Sequence, residues 1–245
     1  MGKAERRWWR FCRALGGGQQ ERDGARAAFA ELDRRYTDPR RRYHGWSHVL
    51  ACLRELDRVR RSCAEPAAAE LALWFHDVVY EPGAQDNEQA SARLAAEWAV
   101  RLGLDEQAAQ TVGRLILATR HGGPEAELAG DEALVADIDL AVLGRASREY
   151  RAYARRIRAE YARLPEPEFR LRRAALLSAL LRRPALYRSA AFRRRYERKA
   201  RRNLRRELKS LERRPTGHPG SAAPGPRRRG SARPGSPPRP DGRKG

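Results

Sequence analysis

Residues Trp74-Phe75-His76-Asp77-Val78-Val79-Tyr80 place an imidazole and a carboxylate side by side in an otherwise apolar run. The Ala- and Leu-rich pattern that begins at Pro66 predicts one buried helix over residues 66–80, with this His-Asp doublet in its middle or at its end. Burying both polar groups without partners costs several kcal/mol. A divalent cation would satisfy both groups at once. The structural alternatives are a simple His–Asp hydrogen bond and a helix cap.

The rest of the chain up to about residue 212 has helical periodicity, and strand patterns are nearly absent. We therefore predict an all-α protein with a single domain over residues 1–212 and no internal repeat. The other predicted helices cover approximately residues 5–15, 21–36, 47–59, 86–102, 105–119 and 134–144, then 146–181 with a turn at Pro165–Pro167, and finally Pro184 to about 211.

Residues 213–245 consist mainly of Pro, Gly, Ser, Ala and Arg and carry almost no apolar anchor. A segment of this composition cannot bury enough apolar surface to offset the entropy of ordering. We therefore predict a disordered basic tail that begins near residue 213.

The composition limits the class of protein. The 245 residues include 52 basic and 31 acidic side chains, a net charge of +21, and most of the basic residues are Arg. Cys12, Cys52 and Cys63 have no CxxC spacing, which is typical of reduced thiols in a cytoplasmic protein. No apolar run approaches the ~18 residues of a membrane span, and no apolar segment of a secretory signal follows the basic N-terminus.

Two further histidines precede the doublet. His44 and His48 are four residues apart, so both imidazoles lie on one side of the chain if this segment is helical. Gly45 weakens the case for His44, whereas Ser47 is a plausible cap for a helix that has His48 in its first turn. The pattern is not that of a zinc protease, because Gly rather than Glu follows His44.

Acidic residues and one more histidine follow the doublet. Asp137 and Asp139 lie in a strongly apolar stretch that we read as a helix, so we expect one of them to be a ligand and the other a supporting or capping group. His121 follows a predicted helix and precedes Gly-Gly-Pro, where the helix dipole alone favours a protonated imidazole. Near Glu88, an acidic cluster opens the helix over residues 86–102.

Taken together, these motifs resemble the HD superfamily of metal-dependent phosphohydrolases, which is named after the His-Asp doublet. The resemblance is closest to a bacterial family usually described as predicted HD-superfamily phosphohydrolases, and it covers about residues 8–212. It rests on an ordered set of motifs: Arg42-Tyr43-His44, His48, Trp74-Phe75-His76-Asp77, Tyr80, Asp86-Asn87-Glu88, Ala118-Thr119-Arg120-His121, Asp137-Ile138-Asp139-Leu140 and Ala200-Arg201-Arg202-Asn203-Leu204.

The resemblance implies that His48, His76, Asp77 and Asp139 bind the metal. His48 is preferred over His44, and Asp139 over Asp137, because the residues that follow match the superfamily's pattern, although both choices are reversible. The remaining polar residues, His44, Asp137 and His121, would then support the ligands, bind a second metal or contact the substrate.

The expected cofactor is a divalent metal ion, and two nitrogen and two oxygen donors are compatible with Mn, Fe, Co, Ni, Zn or Mg. The expected substrate is a small phosphorylated molecule, either a nucleotide or a phosphomonoester or diester. We expect His76 and Asp77 to take part in catalysis, with Glu88 as a candidate general base. Arg42 and Arg120 are candidates for binding the substrate phosphate, since guanidinium groups bind phosphate in a bidentate manner.

Two alternatives to hydrolysis remain at this stage. The basic C-terminal helix and tail are also typical of a nucleic-acid-binding protein. The pattern of the aromatic side chains, however, predicts that they belong to the interior rather than to an open stacking surface. A nucleotide sensor that binds at the metal site without hydrolysis is the second alternative.

Overall fold

The computed structural model describes residues 1–120 and 127–212 and contains no strand within them. The ten α-helices of these described residues are α1 Lys3–Leu15, α2 Gln19–Tyr36, α3 Trp46–Val59, α4 Pro66–Phe75, α5 Asn87–Arg101, α6 Glu106–Leu117, α7 Gly130–Asp139, α8 Ser147–Glu160, α9 Glu166–Arg182 and α10 Ala190–Glu212, with short 3₁₀ helices at Arg60–Ser62 and Leu140–Gly144. The all-α prediction is confirmed. The tail at 213–245 lies outside the described residues, so its disorder and the domain boundary stay predictions.

The central helix of the fold is α4. All its residues from Ala68 to Phe75 are buried, and it packs against α3, α5, α6 and α7. Its one charged side chain in that range, Glu70, contacts the guanidinium groups of Arg7 and Arg60. Because α4 is surrounded by other helices, His76 and Val78, which follow its last turn, are also buried.

The predicted helix over residues 66–80 ends early. α4 stops at Phe75, and the doublet lies in the turn that follows, where the Val78 amide donates to the Phe75 carbonyl at 3.0 Å. The Arg41 guanidinium donates hydrogen bonds to the backbone carbonyls of Asp77 and Val78, at 2.5 and 2.8 Å. A side chain distant in sequence therefore replaces the hydrogen bonds that a continued helix would supply.

The first turn of α3 contains His48, as expected, but the cap is Gly45 rather than Ser47. The His48 amide donates to the Gly45 carbonyl at 3.0 Å. A Cβ atom at position 45 would lie 2.9 Å from the Tyr36 carbonyl oxygen. Glycine is therefore the residue that allows the end of α2 and the start of α3 to approach this closely.

The last helix begins at Ala190, later than the predicted start at Pro184. The preceding segment is a loop whose amides are bound by carboxylates: Leu186 by Glu197, at 3.0 and 3.1 Å, and Arg188 by Asp137, at 2.7 Å. The buried face of α10, which includes Tyr196 and Leu204, packs on α9 and on residues 140–144.

The opposite face of α10 is basic and exposed over much of its 23 residues. The exposed arginines of α10 are thus placed as the amphipathic pattern predicts.

Within residues 1–120 and 127–212, no helix combines the length and the apolar character that crossing a bilayer requires.

Candidate metal centre

Four side chains from three parts of the fold converge beside the end of α4. They are His48 of α3, His76 and Asp77 of the turn after α4, and Asp139, the last residue of α7. His48 Nε2 lies 3.0 Å from both His76 Nε2 and Asp139 Oδ1, and 3.3 Å from Asp77 Oδ2. His76 Nε2 lies 3.1 Å from Asp77 Oδ2 and 3.7 Å from Asp139 Oδ1. We call these four residues the HD cluster.

Cys52 extends the HD cluster on the side of α3. The donor atoms of His48, Cys52, His76 and Asp139 lie within 4.8 Å of one another, a set that includes Cys52 and omits Asp77. The individual distances favour Asp77 as the closer member, because Cys52 Sγ is 3.7 Å from His48 Nε2. The sequence pattern did not single out Cys52, although its position four residues after His48 places it on the same helix face.

The hydrogen bonds around the HD cluster leave its potential metal-binding nitrogen and oxygen atoms directed at one another. His76 Nδ1 lies 3.0 Å from the Leu73 carbonyl, which accepts its proton and leaves a lone pair on Nε2. Asp77 Oδ2 is buried and accepts no hydrogen bond of good geometry from any residue in 1–120 or 127–212. When the imidazoles are neutral, a buried anionic oxygen that faces an imidazole lone pair is costly unless a cation or a proton lies between them. The donor set therefore fits a divalent ion.

The pKa values show how strongly these charges interact. Burial alone would lower the pKa of His76, but the Asp77 and Asp139 carboxylates raise it well above its ordinary value. For His48, burial is likewise outweighed by the acidic groups of Cys52, Tyr43 and Asp139, and its pKa is also raised. Burial would raise the pKa of Asp77, yet the neighbouring imidazoles hold it well below its usual range. Without a cation, the HD cluster therefore attracts protons.

Arg41 holds the turn that carries the doublet. Its guanidinium donates to the carbonyls of Asp77 and Val78 and to that of His44 at 3.2 Å. It also lies over the rings of Tyr36 and Tyr80, 5.3 and 5.8 Å from their centroids. Sequence reasoning singled out the next residue, Arg42, because a run of arginines does not reveal which one points inward.

His44 binds a carboxylate outside the HD cluster, and its ring also meets that of His48 edge-on, with 5.7 Å between centroids. Its Nδ1 lies 2.6 Å from Glu160 Oε2, and its ring stacks on Tyr80 with 4.1 Å between centroids. Glu160 also accepts the amides of Tyr43 and His44 at 2.8 Å each. Burial would raise the pKa of Glu160, but the His44 contact lowers it overall. Glu160 thus anchors the segment before α3, a role that no local sequence pattern indicates.

Asp137 and Asp139 have different surroundings. The carboxylate of Asp137 is fully buried and accepts the amides of Arg188 and Ser189 at 2.7 Å each. Asp139 lies next to His48. Asp137 therefore caps a loop, whereas Asp139 belongs to the HD cluster, and the role of Asp139 as a ligand stays a prediction.

Among the described residues, Glu88, Arg42 and Arg120 are not part of the HD cluster. Glu88 is half-buried in a cleft of about 370 Å³ that His44 and Tyr80 also line. Arg42 is exposed and lines another cleft, with Tyr80 and Glu160. Arg120 is exposed just beyond α6, and His121 lies outside the described residues. The roles expected for these residues stay predictions.

Comparison of the chain with models of known protein families, with curated proteins and with solved structures gives no match. The helical fold and the HD cluster are compatible with the resemblance to HD-type proteins. The chemistry of this chain must therefore be inferred from its own residues.

Proposed function

We propose that this protein is a metal-dependent phosphohydrolase in which His48, His76, Asp77 and Asp139 hold a divalent ion. The observation that carries the proposal is the convergence of these four side chains, from positions up to 91 residues apart, with donor atoms 3.0–3.7 Å from one another in the measured pairs. Ligands about 2.0–2.2 Å from one ion are separated by distances of this order.

The ion's own chemistry explains why such a centre suits phosphate esters. A bound divalent ion neutralises charge on a phosphoryl group and lowers the pKa of a water molecule toward neutrality. Two imidazoles and two carboxylates are compatible with Mn, Fe, Co, Ni, Zn or Mg.

The surrounding residues prepare the donors. The Leu73 carbonyl fixes the His76 tautomer, so that Nε2 faces the HD cluster with its lone pair. Arg41 holds the backbone of Asp77 and thereby fixes the direction of its carboxylate. His48 is held by its position in the first turn of α3. The metal-binding side chains are therefore oriented before an ion binds, which reduces the free-energy cost of binding.

The direct test combines metal analysis with a substrate panel. The full chain should contain a stoichiometric divalent metal and should release phosphate from at least one member of a panel of nucleotides, phosphomonoesters and phosphodiesters. Chelation should abolish this release, and the added metal should restore it.

Two ligand variants and one control refine the test. Asp77→Asn and Asp139→Asn should each lower metal content and phosphate release by at least about tenfold, because each removes an anionic donor with little change in shape. Glu106→Gln alters an exposed carboxylate on α6 and should change neither. Full activity with bound metal in both ligand variants would rule the assignment out.

A further inference from the structure

A cleft of about 440 Å³ opens onto the HD cluster between α3, the end of α7 with the turn that follows, and α8. His48, Cys52 and Asp139 line one part of it. Its volume lies in the range of sites that hold small molecules, roughly 300–1,000 Å³. Most of the remaining charged lining is basic, and it comprises Arg54, Arg58, Arg145 and Arg156 with Glu55 and Glu149.

Two of these arginines share one buried carboxylate. Glu55 is 2% exposed and forms ion pairs with both Arg58 and Arg145. The Tyr196 hydroxyl donates to the same carboxylate at 2.8 Å. The Glu55 carboxylate is therefore occupied by contacts within the wall of the cleft, and its ion pairs fix the positions of two guanidinium groups.

The other two arginines are not neutralised. The guanidinium groups of Arg54 on α3 and Arg156 on α8 form no hydrogen bond or ion pair with any residue in 1–120 or 127–212. Glu149, the other carboxylate of the lining, accepts the Ala146 amide at the start of α8. Two uncompensated positive charges from different helices thus line the cleft that ends at the HD cluster.

A second basic cleft, of about 540 Å³, also has two arginines without a partner among the described residues, Arg42 and Arg163, but it differs in its position. None of the HD cluster residues lines it. Most of its arginines have partners: Arg35 pairs with Glu31, Arg40 with Asp38, and Arg41 binds backbone carbonyls. Positive charge that is both available and continuous with the HD cluster is therefore a property of the 440 Å³ cleft.

We propose that the substrate carries at least two linked phosphate groups, and that Arg54 and Arg156 bind the group that does not lie at the HD cluster. This inference rests on the proposed function, which places one phosphoryl group at the HD cluster. A further phosphate beyond it needs its own cations, and guanidinium groups bind phosphate oxygens through strong, charge-assisted hydrogen bonds. Arg54 and Arg156 are therefore specificity-determining residues.

The test compares a compound that has two linked phosphonates with one that has a single phosphonate. Methylenediphosphonate and methylphosphonate resist hydrolysis, so their binding to the metal-loaded full chain is measurable by calorimetry. The wild-type protein should prefer the diphosphonate, and Arg54→Ala/Arg156→Ala should lower that preference by about tenfold or more.

The matched control is Arg61→Ala/Arg155→Ala. These two arginines are exposed, lie close in sequence to Arg54 and Arg156, and do not line the cleft, so the pair removes the same net charge. The control should keep the wild-type preference. Equal losses in the two pairs, no loss in the cleft pair, or no preference in the wild-type protein would each overturn the proposal.

Failure of this proposal is distinguishable from failure of the proposed function. Both arginine pairs should retain metal content, since neither contains a ligand. Arginine-dependent diphosphonate binding without any phosphate release would support the cleft and refute the hydrolase. Phosphate release with no effect of the cleft pair on binding would support the hydrolase and refute the cleft assignment.

Discussion

At the scale of single residues, the end of α4 sets the hydrogen bonding of His76. Because α4 stops at Phe75, the Leu73 carbonyl is free to accept the proton of His76 Nδ1 at 3.0 Å. The opposite nitrogen, Nε2, then faces His48 and Asp77 and carries the lone pair of the neutral imidazole. A histidine in the middle of a helix would not have this carbonyl available, since the next turn would use it.

Protons and metal should compete for the HD cluster. In the metal-free protein, the pKa values of His48 and His76 are raised, so their protonation stabilises the fold. This contribution is fully present at pH values below the ordinary histidine pKa of about 6.5. That contribution is lost as the pH rises through the raised values. Metal ligation needs neutral imidazoles, so metal affinity should rise with pH.

We therefore predict that the increase in Tm caused by divalent metal is larger at about pH 8 than at about pH 6. The measurement is thermal unfolding of chelator-treated and metal-loaded protein at both pH values. Addition of metal near neutral pH should also release protons into a weakly buffered solution. An equal increase in Tm at the two pH values would contradict the prediction.

At the scale of elements, the turn Leu140–Gly144 links the HD cluster to the C-terminal helices. Asn203 on α10 donates to the Leu143 carbonyl at 2.9 Å, and the Tyr187 hydroxyl donates to the Leu140 carbonyl at 3.0 Å. The turn begins directly after Asp139. The position of a candidate ligand thus depends on the contact between this turn and the helix that follows 50 residues later.

Gly144 packs directly against Tyr196 in that contact. A Cβ atom at this position would lie 2.9 Å from the Tyr196 Cα atom, which belongs to the backbone of α10 and cannot move away cheaply. We predict that Gly144→Ala lowers the free energy of unfolding by about 1–3 kcal/mol, the usual cost of overpacking. Chemical denaturation of both proteins measures this difference.

Gly113→Ala is the matched control for that prediction. Gly113 lies within α6, and a Cβ atom added there meets nothing within 4 Å. Alanine favours a helix over glycine by up to ~1 kcal/mol, so this variant should be at least as stable as the wild-type protein. If the two variants had the same stability, the close contact at Gly144 would not be the reason.

At the scale of the whole molecule, positive charge is distributed unevenly. Residues 213–245 contain nine Arg and Lys residues and only one Asp. The HD cluster lies in another part of the sequence, between positions 48 and 139. The two features therefore need not serve one function. The nucleic-acid-binding alternative depends on the first, and the phosphohydrolase proposal on the second.

Truncation after Glu212 separates these possibilities. We predict unchanged metal content, Tm and phosphate release, because none of the proposed ligands is removed. Any salt-dependent affinity for duplex DNA should fall, since the net charge drops from +21 to +13 when nine positive charges and one negative charge are lost. Loss of phosphate release on truncation would show that the tail takes part in the reaction.

Local pattern in the sequence was enough for the all-α class, for most helices to within a few residues, and for His48 in the first turn of a helix. These features depend on residues close in sequence, whose periodicity is set by helix geometry. The sequence also singled out the polar residues inside apolar stretches, His76, Asp77, Asp137 and Asp139, because burial makes unsatisfied polar groups costly.

Tertiary structure alone decided which partner each of these residues has. Arg41 ends α4 by binding carbonyls 36 and 37 residues away, Glu160 contacts His44 across 116 residues, and Arg54 and Arg156 line one cleft from two helices. No periodicity links such positions, since their proximity results from the packing of whole helices around α4. The sequence by itself thus determined which groups need partners, and the packing determined the partners.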